Sequence, residues 1–76
     1  MDTTLLNRIT TNPRIFGGKP IVMGKRMSVE HILKMLARGI SQKEIFSEYP
    51  FLVEDDIKAC LLFAITKISP EEELVA

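Results

Sequence analysis

The chain has 76 residues, of which 46% are hydrophobic, and its ten basic residues balance its ten acidic ones. A chain this short buries only about 60% of the surface that it exposes when unfolded, so we expect a single domain with a thin stability margin. The apolar content excludes a disordered chain, and the absence of any uncharged apolar stretch of about 18 residues predicts no contact with a membrane.

The usual means of stabilising a very small domain are missing from the sequence. Its one cysteine, Cys60, cannot close an internal disulfide, and together with the one histidine, His31, it gives no spacing typical of a zinc site. We therefore expect no metal and no cofactor, which leaves oligomerisation as the stabilising device. The N-terminus lacks the pattern of a signal peptide, and a lone cysteine suits a reducing compartment, so the sequence predicts a cytoplasmic protein.

The charges are unevenly distributed along the chain. Residues 1–26 carry five basic side chains and one acidic one, whereas residues 47–76 carry two basic and seven acidic ones. Such a gradient indicates an anionic partner for the first third, although a solvated basic face is the simpler interpretation.

Residues 1–27 are predicted to form a basic, β-rich arm. Residues 8–10 and 21–23 have the β-branched content of strands, and Gly24-Lys25 suits a two-residue type II′ turn leading to Arg26-Met27. So short a hairpin is stable only when it packs on helices or pairs with another chain. The segment also contains several helix breakers, namely Asn12-Pro13, Gly17-Gly18, Lys19-Pro20 and Gly24.

Residues 28–68 are predicted to form three helices. Ser28 is the expected N-cap of the first helix, and Gly39 supplies the left-handed residue that ends it. Ser41 and Glu44 form a capping-box pattern that starts a second helix, which runs to about Glu48.

Tyr49-Pro50 ends the second helix, because the residue before a proline is pushed out of the helical region. A third helix is predicted from about Glu54 to Lys67. Residues 69–76, which include Pro70 and three consecutive glutamates, are interpreted as a solvated tail.

The third helix carries more apolar residues than a three-helix core needs. Cys60 lies in the apolar run and is expected to be an inert buried thiol. Leu62 and Phe63 extend the apolar surface around the helix, so they are predicted to form a dimer or partner interface. The residues expected to complete the monomer core are Ile57, Leu61, Ala64, Ile65 and Ile68.

No motif in the chain predicts an enzyme. Gly17-Gly18-Lys19 has glycine and lysine as a phosphate cradle does, but Pro20 follows where a Walker loop continues into a helix, so a structural turn is favoured. His31 has no neighbours suited to nucleophilic or metal chemistry. The acids at residues 54–56 are explained by the dipole of the helix that they open.

Two segments together resemble a known family. They are Asn12-Pro13-Arg14-Ile15-Phe16-Gly17-Gly18-Lys19-Pro20-Ile21-Val22-Met23-Gly24-Lys25-Arg26-Met27 and Arg38-Gly39-Ile40-Ser41-Gln42-Lys43-Glu44-Ile45, with Tyr49-Pro50 and Asp56-Ile57 beyond them. This pattern looks like the small prokaryotic domain-of-unknown-function family 433 over about residues 7–65. The resemblance implies a three-helix, homeodomain-like (helix-turn-helix) DNA-binding bundle. Together with the short N-terminal β-hairpin arm and the dimer expected from the residues, the predicted fold is mainly α. The resemblance also implies an antitoxin paired with a PIN-like nuclease toxin.

The chain departs from the family pattern at three positions. Lys25 stands where threonine is usual, Phe51 where a polar residue or histidine is common, and Val53 where a threonine would cap the third helix. A recognition helix offers its first residues to base edges, but here those residues are acids that phosphates would repel. These acids therefore argue against DNA contact by the third helix.

Two functional hypotheses follow, both for a non-enzymatic binding module. In the first, an antitoxin or transcriptional regulator binds DNA through the arm and a toxin-like partner through the C-terminal half. In the second, the domain contacts only protein. The DNA-binding residues predicted for the arm are Arg14, Lys19, Lys25 and Arg26.

Overall fold

The computed structural model describes residues 3–69, which form a mainly helical fold. A 3-10 helix at Thr3–Arg8 comes first and a second one lies at Phe16–Gly18. The strands and helices are β1 (Ile9–Thr10), β2 (Ile21–Val22), α1 (Val29–Ala37), α2 (Gln42–Glu48) and α3 (Glu54–Ile68). The three predicted helices are confirmed, with ends within a residue or two of those expected.

The predicted caps account for the start and end of α1 and for the start of α2. The hydroxyl of Ser28 accepts a hydrogen bond from the amide of His31 at 3.0 Å, and that of Ser41 accepts one from the amide of Glu44 at 3.2 Å. Gly39 has a φ of 84°, the left-handed conformation that ends a helix at low steric cost. The carboxylate of Glu44 accepts a hydrogen bond from the Ser41 hydroxyl rather than from its amide.

The arm is a two-stranded antiparallel sheet in which Ile9 pairs with Val22 and Thr10 with Ile21. Ile21 also bridges to Ser28 on its other side, and the amide of Val22 donates to the carbonyl of Met27 at 2.9 Å. Strand β2 therefore has partners on both sides, although it contains only two residues.

The turn after β2 differs from the predicted type II′ hairpin turn. The amide of Lys25 donates to the carbonyl of Val22 at 3.0 Å, so the turn begins at Val22. Gly24, with a φ of 75°, is then the third residue of the turn, where a type II turn needs a positive φ, and not the second. The turn lies one residue earlier than expected.

The first residues of the arm are helical rather than extended. Arg8 ends the 3-10 helix at Thr3–Arg8, so the first strand begins at Ile9 and not at Arg8. This 3-10 helix packs against α3, and its half-buried residues Leu5 and Leu6 supply apolar surface there. It covers a side of α3 that a bundle of three helices alone would leave open.

This extra covering changes which residues of α3 face the solvent. Leu62 is buried, whereas Leu61 is 42% exposed and Ile68 is 82% exposed. The predicted core positions for Leu61 and Ile68 are therefore wrong. Because α3 packs against α1 on one side and against the N-terminal 3-10 helix on another, its outward face is a third one, which includes these two residues.

The core joins the arm to all three helices. Its central members come from β2, from the segment before α1, from each helix and from the segment before α3. They are Val22, Met27, Val29, Ile32, Met35, Ile45, Leu52, Ile57 and Cys60.

No helix within residues 3–69 is long and apolar enough to cross a membrane. The solvated tail predicted around Pro70 and the following glutamates lies outside the described residues.

Cys60 is buried in the core, and this burial, with the nearby negative charge of Asp56, raises the pKa of its thiol to about 12. We therefore expect a thiol reagent at about pH 8 to label Cys60 much more slowly in the folded protein than in denaturant, because little thiolate forms and the sulfur is covered. The rate of labelling with an aromatic disulfide, followed by absorbance, measures this difference. Rapid stoichiometric labelling without denaturant would contradict it.

Candidate functional site

The four basic residues predicted to contact DNA fall into two groups. Arg14 and Arg26 have exposed side chains. Lys19 and Lys25 each form an ion pair within the protein, the first with Glu30 at 2.9 Å and the second with Asp56 at 2.5 Å. The arm therefore presents fewer unpaired cations to an anionic ligand than its sequence indicates.

Asp56 is the acid around which the arm is fixed. Its side chain is only 1% exposed, and its two oxygens accept hydrogen bonds from Lys25, from the Arg8 guanidinium at 3.0 Å and from the amide of Val53 at 3.0 Å. Arg8 also lies 3.6 Å from the carboxylate of Asp55. The carboxylate thus joins the end of the first 3-10 helix, the turn after β2 and the start of α3.

The environment of Asp56 keeps its carboxylate charged. Burial by itself would raise the pKa of Asp56, but the hydrogen bonds from Lys25 and from the Val53 amide, the charge of Lys25 and the bond from Arg8 together lower that pKa below its usual value. The sequence-based interpretation of residues 54–56 as acids that favour the helix dipole missed this role. A signal was present, because an acid at the third helical position can bond back to the N-cap amide, and Val53 cannot cap the helix with its side chain.

Lys25 is therefore an internal structural cation. Its side chain is 24% exposed and its ammonium group points to a buried carboxylate. Freeing it to contact a phosphate would leave Asp56 with one cation fewer, and an unpaired buried charge is strongly unfavourable.

Glu30, on the surface of α1, forms ion pairs with two lysines. Its carboxylate lies 2.9 Å from the ammonium of Lys19 and 3.0 Å from that of Lys34, one turn further along the helix. Hydrogen bonds and charge from Lys19 and Lys34 lower the pKa of Glu30 to about 2. At neutral pH the Glu30 carboxylate is therefore ionised, and the cluster that it forms with Lys19 and Lys34 contains two cations and one anion.

Four aromatic side chains lie near the junction of the arm with α1 and α2. The rings of His31 and Tyr49 meet edge to face at 5.9 Å, and those of Tyr49 and Phe51 do so at 6.1 Å. His31 Nε2 and the Tyr49 hydroxyl also share a hydrogen bond of 3.2 Å. Phe16 lines a shallow cavity together with both His31 and Tyr49.

An apolar groove of about 490 Å³ runs between α1 and α3 beside the arm. Of the two residues predicted to form an interface, Phe63 lines this groove and is partly buried. Leu62 is instead buried in the monomer, so the prediction that it forms a dimer or partner interface is wrong. The residues that line the groove are Lys19, Pro20, Val29, Glu30, Leu33, Lys34, Ala37 and Phe63.

Within residues 3–69, no three histidine, cysteine, aspartate or glutamate side chains lie close enough together to hold a metal ion. The surfaces described above offer aromatic rings, cations and an apolar groove.

The family model described as a protein of unknown function, DUF433, matches residues 9–64, which include β1, β2, α1, α2 and most of α3. The chain belongs to the DUF433 family. A similar solved structure is the crystal structure of a DUF433 member protein from Anabaena variabilis, with a TM-score of 0.73 and 26% sequence identity. The match covers 92% of this chain and 67% of that one. No curated protein matches the chain. The DUF433 family resemblance predicted from the sequence is confirmed.

We expect Asp56→Asn to lower the free energy of unfolding by about 2 kcal/mol, because Arg8 and Lys25 lose their shared buried partner while both side chains can still reach water. Urea titration followed by circular dichroism measures the change. Asp55→Asn is the matched control, and its exposed position predicts a change within about 0.5 kcal/mol. Equal effects of the two substitutions would contradict the role given to Asp56.

The contribution of Asp56 to the free energy of unfolding should depend on pH. Since the pKa of Asp56 is lower in the folded than in the unfolded protein, its contribution is complete above the unfolded value of about 4 and is lost as the pH falls towards the folded value. The difference in unfolding free energy between the wild type and Asp56→Asn should therefore shrink below about pH 4.

Proposed function

We propose that this domain is a non-enzymatic, cytoplasmic protein-interaction module that forms a homodimer through the groove between α1 and α3. The groove itself is the observation that carries the proposal, because it places Leu33, Ala37 and Phe63 beside one another at the surface, above the buried Val29. A second copy of the chain is the occupant that the size of the domain favours. A domain of this length gains stability that its own small core cannot supply when such a surface is covered.

The family resemblance extends the proposal to an antitoxin-like role, with a PIN-like nuclease toxin as a further protein partner. The outward face of α3 suits such a partner, because it combines the apolar residues Leu61 and Ile68 with the exposed ion pair of Glu54 and Lys58, whose charged atoms lie 3.3 Å apart. Apolar anchors beside exposed charges of both signs provide buried area and polar contacts that select a partner.

Binding of duplex DNA by a homeodomain-like arrangement of the helices is the second candidate function. The exposed guanidinium groups of Arg14 and Arg26 favour it, since phosphate contacts are made largely by such groups. The acids at the start of α3 make that helix a poor reader of DNA, so contact would come from the arm. Of the four residues that the sequence predicts to contact DNA, Arg14 and Arg26 stay in this proposal. Lys19 and Lys25 are left out because each forms an ion pair within the protein.

The dimer is tested by light scattering at micromolar protein with two arginine substitutions. Ala37→Arg places a long charged side chain in the groove at the end of α1, and we expect it to convert the dimer to a monomer. Ser47→Arg adds the same charge near the end of α2, outside the groove, and should leave the dimer intact. An arginine near a helix C-terminus does not disfavour the helix itself. A monomeric wild type, or a dimer unaffected by Ala37→Arg, would refute this interface.

Duplex binding is tested by a salt titration of a mobility shift on the DNA upstream of the protein's own gene. Replacing Arg14 and Arg26 with alanine should weaken binding and flatten the log–log salt slope by up to about two, at about 0.9 per lost phosphate contact. Replacing Arg38 and Lys43 removes the same charge from exposed positions outside the arm and should change the slope little. Equal effects of the two pairs would indicate non-specific attraction rather than contact by the arm.

A further inference from the structure

Phe16 has an unusual backbone conformation for its residue type. Its φ is 49°, and Gly17 and Gly18 follow at 64° and 85°, so three consecutive residues are left-handed. Glycine adopts this region readily, whereas a phenylalanine does so only under strain. The turn is held by the amide of Gly18 donating to the carbonyl of Ile15 at 3.0 Å and that of Lys19 donating to the carbonyl of Phe16 at 3.2 Å.

The monomer gains little from this strained phenylalanine. Phe16 is 50% exposed and lies outside the core cluster. Residues in strained conformations persist where the surrounding structure enforces them, and they occur often at binding sites. A phenylalanine that is both strained and exposed indicates that its ring acts on something outside the monomer.

The surroundings of Phe16 show what its ring can contact. It forms a wall of two shallow cavities, of about 290 and 310 Å³, which also share Ser28 and His31. One cavity extends towards Lys34 on α1, and the other extends towards Tyr49 and Arg26. A planar group can therefore approach the Phe16 side chain from two directions.

The charge around these cavities is positive. Lys19, Lys34 and Arg26 are among their lining residues, and Glu30 is the one acid among them. Within residues 3–69, Arg26 forms no ion pair, so its charge is available to an anion. Exposed aromatic rings interleaved with cations are the combination that binds single-stranded nucleic acid, where bases stack on the rings and phosphates pair with the cations.

We propose that the surface formed by Phe16, His31, Tyr49 and Arg26 binds single-stranded nucleic acid, with bases stacked against Phe16 and phosphates paired with Arg26. This goes beyond the proposed dimer and beyond duplex contact. In a duplex the faces of the bases are covered by their neighbours in the stack, so an aromatic side chain cannot stack on them. In a single strand those faces are accessible. Lys19, Glu30 and Lys34 line both the groove proposed for the dimer and one of the two cavities, whereas Phe16, His31, Tyr49 and Arg26 do not line the groove. Substitutions at these four residues therefore test the surface separately from the dimer.

The test uses two substitutions at the same position. Phe16→Asn removes the ring but suits the backbone, since asparagine tolerates a positive φ better than phenylalanine does. Phe16→Tyr keeps an aromatic ring in the strained conformation. Fluorescence anisotropy measures the binding of each protein to labelled strands of about twelve thymidines or uridines, and to a duplex of the same length.

We expect the wild type to prefer the single strands to the duplex, and Phe16→Asn to weaken that binding by roughly five- to a hundredfold, as loss of a stacking ring does. Phe16→Tyr should stay within about twofold of the wild type. The thermal midpoint of Phe16→Asn should be equal to or higher than that of the wild type, which excludes unfolding as the cause. Arg26→Ala should flatten the salt slope by about 0.7, the value for one phosphate contact on a single strand.

The thymidine and uridine strands separate the two sources of the ligand. Equal affinity would support recognition of bases and phosphates common to DNA and RNA, and tighter binding of uridines would support an RNA ligand contacted through its 2′-hydroxyl groups. The proposal is overturned if Phe16→Asn binds single strands as the wild type does, if the duplex is preferred, or if the wild type binds no strand at micromolar concentration. Light scattering of Phe16→Asn reports the dimer separately, so a failure here leaves the proposed function to its own test.

Discussion

The buried carboxylate of Asp56 is the constraint on which the placement of the arm depends. It accepts hydrogen bonds from Arg8, from Lys25 and from the Val53 amide, and so holds three separate segments at the start of α3. A buried charge without its partners is strongly unfavourable in free energy. Any conformation in which the arm lies elsewhere is therefore destabilised, because it leaves the Asp56 carboxylate unpaired. The hydrogen bonds to Asp56 thus also fix the positions of the surfaces beside the arm, including the strained turn at Phe16.

The ion pairs also change how the charge gradient of the sequence is understood. The basic first third and the acidic last third would each be expected to attract an oppositely charged partner. In the folded chain they are partners of each other, since Arg8 and Lys25 meet the acids that open α3. The positive charge that remains near the arm is contributed by Arg14 and Arg26, and by the two lysines that share Glu30. Part of the gradient, carried by Arg8, Lys25, Asp55 and Asp56, therefore stabilises the fold.

The helices could be predicted because their signals are local, as with Ser28 and Ser41 as caps and Gly39 as the terminator. The 3-10 helix at Thr3–Arg8 could not, because its sequence shows no helical periodicity and the helix packs on α3, which is distant in sequence. Without that 3-10 helix the sequence wrongly predicts Leu62 at a partner interface and Leu61 in the core. The groove and the aromatic surface depend on contacts between distant segments, which spacing in the sequence does not encode.

The pairing at Asp56 also bears on the order in which the chain folds. Arg8 and Asp56 are 48 residues apart in sequence, and Lys25 and Asp56 are 31 apart. Closing loops of that length requires chain entropy to be lost before any contact forms, whereas each helix forms from neighbouring residues. We therefore expect the helices to assemble first and the arm to dock late. By the same reasoning, the arm is the part that detaches most readily, so its amides should exchange with solvent through local opening while those of α1 and α3 require global unfolding.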